Sequence, residues 1–326
     1  MRSIKYNKLT TQIRLVTYSL TGLLLLNITC FAQNDSSATP QAKEVRAKAK
    51  PVKNTFESAL IIEDQTVMVP VKGTFEADIQ HRFGVLQNGY KDLWGIYGSS
   101  NIRIGFSYAP IKNLYLGIGM AKNSLLWDGS AKYAILKQTK GVYPVSVTYY
   151  GNIAAKTNQD PGNSLYKYAT QRWSFFNELI VARKFSDKLS VQAALSISHQ
   201  NSVPGYYAQK NDTTTYKFST EKFDLFSVSV AGRYKITRGT AFIFDYDQPI
   251  TRFPTNNPNP NFSFGFEFGT SGHSFQLFAG NYSLLNPQQN SLYNSSNPFS
   301  FTQTGGTKVL GGQFRIGFNI TRLWNF

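Results

Sequence analysis

The chain contains one cysteine and three histidines, and both shortages restrict the chemistry that it can perform. Cys30 lies in a leader-like segment that we expect to be removed, so the remaining chain would carry neither a disulfide nor a thiolate metal site. The histidines are scattered and show no metal-ligand spacing. We therefore expect no bound metal and no cofactor.

Long apolar runs are also scarce. The strongest, from Leu15 to Ile28, is shorter than the ~20 residues that a membrane-spanning helix needs. Glycine pairs such as Gly117-x-Gly119 lie inside an alternating segment and lead into no helix, so they are not phosphate-binding loops. The formal net charge is +16. Much of this basic excess lies near the N-terminus and no recognisable binding module accompanies it, so we predict no nucleic-acid partner.

The N-terminal region is typical of an exported protein. Residues 1–32 combine a basic start, a leucine-rich centre and small residues at 30 and 32, and they predict a signal peptide cut near Ala32. Residues 33–54 are rich in Ala, Lys, Ser, Pro and Gln without an apolar period, which predicts a flexible periplasmic tail. We expect residues 55–326 to form the folded domain. Its first part, 55–72, could be a short strand or a plug-like segment.

From Thr74 onward the chain is a succession of segments in which apolar and polar residues alternate. The clearest is Phe262-x-Phe264-x-Phe266-x-Phe268. The aromatic content is 15%, yet the mean hydropathy is only −0.28. A membrane β-barrel produces this combination, because its lipid-facing aromatic residues alternate with polar interior ones. About twelve such segments occur, each near the ~9–11 residues of a tilted transmembrane strand.

The connections between these segments alternate between short and long. Tight connections occur near residues 110–113, 139–142, 185–188, 237–239 and 270–272, and long ones near 84–99, 154–170, 201–221, 249–261 and 283–307, while the one near 123–128 is intermediate. Outer-membrane barrels have short periplasmic turns and long external loops. The pattern predicts an all-β, closed, antiparallel, up-and-down transmembrane barrel of about twelve strands. An even strand count would place both termini on the periplasmic side of a Gram-negative outer membrane.

The last thirteen residues, 314–326, carry an apolar face that only Arg322 interrupts. They resemble the C-terminal strand of Gram-negative outer-membrane barrels, where a terminal aromatic residue is read by the barrel-assembly machinery. The resemblance implies that this machinery and outer-membrane lipid are partners. The residues that would form the assembly signal are Phe318, Ile320, Trp324 and Phe326. Barrel closure further requires this strand to pair with the first one, near residues 74–83.

If the apolar faces contact lipid, the residues of opposite parity line the lumen. The charged candidates are Glu76, Asp78, Arg82, Arg103, Glu178, Arg233, Asp245, Glu267 and Arg315. Two interpretations remain open. Opposite charges could pair and fill a closed barrel, or they could line a path that orients polar solutes.

One short cluster, Ser198-His199-Gln200-Asn201, contains residue types used by hydrolases, in which a histidine activates a serine. It lacks the spacing and glycines of outer-membrane phospholipases. A lipid-modifying enzyme is therefore a minor hypothesis, and we predict that the protein is not an enzyme.

Several stretches together resemble one family. They are His81-Arg-Phe-Gly84, Asp92-Leu-Trp-Gly95, the segment from Asn101 to Pro110 followed by Leu116-Gly-Ile-Gly119, and the segment from Pro144 to Gly151. From about Phe56 to Phe326 the chain is similar to a β-barrel domain-of-unknown-function family of exported proteins from the Bacteroidetes group. The resemblance implies an outer-membrane barrel and assigns no activity. Our leading hypothesis is a narrow channel or passive translocator for small polar solutes. The alternative is a closed structural or binding barrel whose long loops contact a partner or ligand.

Overall fold

The computed structural model describes residues 50–209, 216–302 and 308–325. Twelve strands of eight to twelve residues form the main sheet. They are β1 (Thr74–Val85), β2 (Asn101–Ile111), β3 (Leu114–Ala121), β4 (Leu126–Leu136), β5 (Ser146–Lys156), β6 (Trp173–Lys184), β7 (Leu189–Gln200), β8 (Asp224–Lys235), β9 (Thr240–Pro249), β10 (Asn261–Gly269), β11 (His273–Gly280) and β12 (Arg315–Asn325). The predicted leader and most of the predicted tail lie outside the described residues.

Each strand pairs antiparallel with its neighbours in the chain, and β12 pairs with β1 to close the sheet. In this closing register Ile320 lies opposite Ile79 and Phe318 lies opposite His81. The closed antiparallel twelve-stranded barrel is therefore confirmed. Closure leaves no strand edge unpaired, as the interior of a bilayer demands.

Side chains alternate between the two faces of this sheet, with register shifts near residues 108–111, 134–136 and 315–317. Along β1 the side chains of Glu76, Asp78 and Arg82 are 1–8% exposed, whereas the intervening Ile79 is 38% exposed. The same contrast recurs around the barrel, where Phe106, Ile118, Leu195 and Phe266 are all exposed on the outside. The apolar face therefore surrounds the barrel, and the polar face lines its lumen.

The two ends of the barrel differ in their connections. One end, the turn end, carries connections 112–113, 137–145, 185–188, 236–239 and 270–272. The other, the long-loop end, carries 86–100, 122–125, 157–172, 201–223, 250–260 and 281–314. The connection expected to be tight at Thr139–Val142 spans nine residues, 137–145, and within it Thr139 forms bridges with both Pro51 and Tyr143.

Little helix is present in the described part of the chain. The α-helix α1 (Pro287–Tyr293) lies in the last long connection, and several 3₁₀ turns lie in other connections. Within the described residues, no helix has the length and apolar character needed to cross a membrane.

The terminal strand presents three of its predicted assembly residues to the outside. Phe318 stacks on His81, with 5.1 Å between ring centroids, and Trp324 lies 5.7 Å from Phe75. The side chain of Arg322, which interrupts the apolar pattern, lies over the Trp324 ring at 5.2 Å. Such an aromatic and cationic pair suits a membrane–water interface. Phe326 lies outside the described residues.

Candidate functional site

The lumen is occupied by residues 55–70, which we call the plug. This segment enters from the turn end, forms a hairpin in which Leu60–Ile61 pairs with Asp64–Gln65, and returns to the same end to begin β1. Phe56, Ile61 and Val67 are at most 6% exposed and pack against inward-facing residues of the barrel wall. The segment is therefore a plug-like hairpin inside the lumen and not a strand of the barrel wall.

Wall side chains hold the plug chiefly through its backbone. Lys132 Nζ donates to the Ala59 carbonyl at 2.7 Å. Gln192 Nε2 donates to the Gln65 carbonyl at 2.8 Å, and Thr148 Oγ1 donates to the Val67 carbonyl at 3.3 Å. The plug joins no wall strand through a β-ladder. Its attachment is thus a set of separate side-chain contacts, and the plug contributes no strand to the closed sheet.

The tip of the plug is the most tightly held part. Ile62 is fully buried and has a φ of 54°, which is strained for a β-branched residue. Its N–H donates to Gln276 Oε1 at 2.9 Å, and its carbonyl accepts from Asn319 Nδ2 at 2.7 Å and from Arg82 at 3.2 Å. These wall contacts offset the backbone strain at the tip.

The helix α1 closes the lumen from the long-loop end. Asn286 caps it by accepting from the Gln289 N–H, and Pro287 occupies its first turn, where a missing N–H costs nothing. Gln288 Nε2 donates to Asn152 Oδ1 on β5 at 2.9 Å. Asn290 donates to the carboxylate of Glu63, so α1 and the plug meet inside the barrel.

Two of the predicted lumen arginines form buried ion pairs. Arg103 binds Asp78 at 3.1 Å and holds both oxygens of Asp128 at 2.8 and 2.9 Å. Arg233 binds Glu267 at 2.5 Å and reaches Glu57 of the plug at 3.4 Å. The first pair stays within the wall, whereas the second connects the wall to the plug.

The other two arginines have no carboxylate partner among the described residues. Arg82 binds the plug tip and Asn319, and its guanidinium lies 4.5 Å from the ring centre of Phe278. Arg315 is half-buried and donates to Ser296 Oγ at 3.0 Å, near the long-loop end. Arg82 is thus an anchor for the plug, and Arg315 an anchor for the last long connection.

The remaining predicted carboxylates also lie inside. Glu76, Glu178 and Asp245 are at most 5% exposed and form no ion pair among the described residues. The main-chain N–H of Glu63 donates to Asp245 Oδ2 at 3.3 Å. Glu76 and Glu178 line the small polar cavity left between the plug and α1.

Two charged residues of the lumen, Asp128 and Lys132, are not among those predicted from the sequence. Both lie on β4 and are at most 4% exposed. The alternation along β4 could have identified both residues, because the apolar Trp127, Tyr133 and Ile135 occupy the opposite parity and are exposed on the outside. The alternation is weak in this strand because a glycine, a serine and an alanine occupy residues 129–131.

The glycines of the Gly117-x-Gly119 run have a structural role. Gly119 on β3 lies opposite Gly105 on β2, and a Cβ at either position would collide with Arg103. The two glycines therefore make room for the guanidinium that binds Asp78 and Asp128.

The structure separates Ser198 from His199, because adjacent strand residues point to opposite faces. Ser198 is fully buried inside the barrel, whereas His199 is partly exposed on the outer side. The histidine ring lies 2.7 Å from Asp224 and 3.1 Å from Asn201. The two residues therefore do not form a serine–histidine catalytic pair.

The closed barrel and its apolar exterior agree with the family comparison. Residues 56–324 match the family described as "Membrane bound beta barrel domain (DUF5777)". The chain belongs to this family. It is a membrane-bound β-barrel whose lumen contains a plug and a loop helix.

Solved structures of outer-membrane barrels are similar to this family member. The NanC porin is 9% identical over 77% of this chain and 99% of its own, with a TM-score of 0.43. An outer-membrane channel from Pseudomonas putida F1 is 12% identical over 79% and 97%, with a TM-score of 0.43. The KdgM porin is 10% identical over 76% and 98%, with a TM-score of 0.40. No match was found among curated proteins. Likeness at this level carries no argument about activity.

Proposed function

We propose that the protein is an outer-membrane channel for small polar solutes and that the plug opens and closes its lumen. In this proposal the turn end and both termini face the periplasm, and the long loops face outward, as in other outer-membrane barrels. Outer-membrane lipid contacts the apolar exterior, and the barrel-assembly machinery reads the C-terminal strand. An origin in the Bacteroidetes group stays a prediction.

The observation that carries the proposal is how the lumen is filled. Twelve strands spaced ~4.8 Å apart and tilted by ~40° close at a backbone diameter of about 24 Å. Packed sheets lie about 10 Å apart, so this diameter accommodates one additional layer between opposite walls. The plug is that layer. Without it, about 5 Å of side chain on each side would leave an opening of roughly 14 Å.

The character of the plug contacts supports a removable closure. An eight-stranded barrel fills its interior with wall side chains alone, whereas twelve strands leave room for a further layer. Here the inner wall carries polar side chains together with apolar ones such as Phe176 and Ile243, and residues outside the closed sheet, including Phe56, Ile61 and Val67, pack against the apolar ones. Release of the plug would expose charged and amide side chains that water can solvate, which favours a water-filled path.

The test is planar-bilayer conductance of the full-length chain and of a variant that lacks residues 55–70. We expect the variant to conduct continuously and the full-length protein to remain mostly closed. Deletion of residues 33–49 is the control, because it leaves the whole plug in place and should not increase conductance. A plug-less variant that folds, as judged by heat-modifiable gel migration, yet does not conduct would contradict the proposal and favour a closed barrel.

A further inference from the structure

A second pocket lies at the long-loop end, separate from the lumen. It lies between the ends of β5, β6 and β7, the connection 157–172 and one side of α1. The lining residues that matter here are Lys156, Tyr166, Arg172, Gln200, Gln289 and Tyr293. None of the described residues that line it is an aspartate or a glutamate.

The pocket holds two cations that lack a counter-ion in the described part of the chain. Arg172 stacks on Tyr166 at 4.7 Å and donates to the carbonyls of Lys156 and Asn158 at 3.1 and 2.9 Å. The Lys156 ammonium lies 5.4 Å from the ring centre of Tyr293, and among the described residues it makes neither a hydrogen bond nor an ion pair. Two uncompensated positive charges in one concave site attract an anion.

The pocket also has unused hydrogen-bond donors. The side-chain amide nitrogens of Gln200 and Gln289 are buried, and neither has a partner among the described residues. The amide of Gln200 is oriented by Tyr293, whose hydroxyl donates to Gln200 Oε1 at 2.6 Å, so its NH₂ group is the unpartnered end. Buried donors without acceptors are rare in folded proteins, and both of these belong to side chains that line the pocket.

We infer that this pocket binds a small sugar acid, a solute with one carboxylate and several hydroxyl groups. The carboxylate binds between Lys156 and Arg172, and hydroxyl oxygens accept from the amides of Gln200 and Gln289. Trp173 also lines the pocket, and an aromatic ring can pack against the C–H side of a sugar ring. Binding here is independent of passage through the lumen, so it can be tested whether or not the channel conducts.

The occupant would contact the helix that meets the plug. Gln289 and Tyr293 line the pocket, and Asn290 of the same helix binds Glu63. One short helix therefore touches both the pocket and the closure of the lumen.

Isothermal titration of the full chain in detergent tests the inference, with glucuronate, glucose and inorganic phosphate as probes. We expect glucuronate to bind at least about tenfold more tightly than glucose, because a charged hydrogen bond is stronger than a neutral one. Lys156→Gln and Arg172→Gln should each weaken glucuronate binding by about tenfold or more. Lys122→Gln is the control, since this lysine lies at the same end but outside the pocket.

Gln200→Leu removes the amide donor without changing the net charge. Weaker glucuronate binding by this variant supports the inference, provided that heat-modifiable gel migration shows a folded barrel. Equal binding of glucuronate and glucose would overturn the inference. Phosphate binding as tight as that of glucuronate would also overturn it, because it would reveal a simple anion site. If all three pocket variants bind glucuronate as tightly as the unmodified protein, the ligand binds elsewhere and the inference is wrong.

Discussion

Replacement of Arg82 by methionine should release the plug while leaving the barrel closed. Arg82 is 1% exposed, and its guanidinium donates to the Ile62 carbonyl at the strained tip of the plug. Methionine keeps much of the apolar stem that packs on Phe278 but cannot donate a hydrogen bond. Asn319 would then be the remaining donor to this carbonyl among the described side chains.

The size of the effect follows from the lost contact. A hydrogen bond to a charged group contributes about 1.5–3 kcal/mol. Its loss should raise the ratio of released to docked plug by about 10- to 150-fold. Single-channel recording measures this ratio directly as the time spent open relative to the time spent closed.

Arg183→Met is the matched control. Arg183 also belongs to a wall strand, but it faces outward and lies 5.3 Å from the ring centre of Phe185. Arg183→Met should therefore leave the open time unchanged. The reasoning would be refuted if Arg82→Met folded normally and showed the same open time as the unmodified protein, or if both variants increased it equally.

Three further predictions concern pH, stability and assembly. Burial, and then the nearby Asp247 and Asp245, raise the pKa of Glu63 well above its usual range. The docked plug therefore binds a proton more tightly than the released plug, so docking is favoured at low pH and weakens as pH rises through the raised pKa. Open time should increase with pH, and Glu63→Gln should make this increase smaller, because burial also raises the pKa of the neighbouring Asp64. Gly119→Ala should displace Arg103 and lower the thermal unfolding temperature, since breaking a buried ion pair costs about 3–5 kcal/mol; an unchanged temperature would show that Arg103 can move at no cost. Phe326→Ser should reduce the fraction of heat-modifiable barrel in isolated outer membranes, and an undiminished fraction would exclude a role for this residue in assembly.

The barrel itself could be predicted from the sequence because its signals are local. A period of two along each strand identifies the two faces, and the alternation of connection lengths identifies the two ends. Closure then follows, since an open sheet edge cannot be satisfied in lipid. The pairing of the terminal strand with β1 was predicted in this way and is confirmed by the register of Ile320 opposite Ile79.

The contents of the lumen could not be predicted in the same way, because they depend on contacts between distant residues. Ser58 donates to Glu267, which lies 209 positions away. Arg233 on β8 pairs with Glu267 on β10 across an intervening strand, so this pairing depends on the sheet register and on side-chain rotamers. A list of inward charges does not reveal that Arg82 binds a backbone carbonyl of the plug rather than a carboxylate.

The last long connection, 281–314, is a second case in which the sequence does not reveal where a segment lies in the barrel. The sequence Asn286-Pro287 carries the cap and the first-turn proline of a helix. These local signals predict where a helix starts, but they do not predict that it enters the barrel. That position depends on Gln288 reaching Asn152 and on Leu292 packing near Leu225 and Phe253.

The claim that the plug controls passage is tested most directly by tying the plug to the wall. Ser58 Oγ lies 3.2 Å from a carboxylate oxygen of Glu267, so cysteines at both positions can be joined by a short thiol-specific linker that forms reducible disulfides and replaces the reach of the glutamate side chain. The measurement is bilayer conductance of this double variant, combined with Arg82→Met, before and after reduction. The account predicts no open events while the bridge is intact and frequent open events once it is reduced. Equal conductance in both states would contradict it.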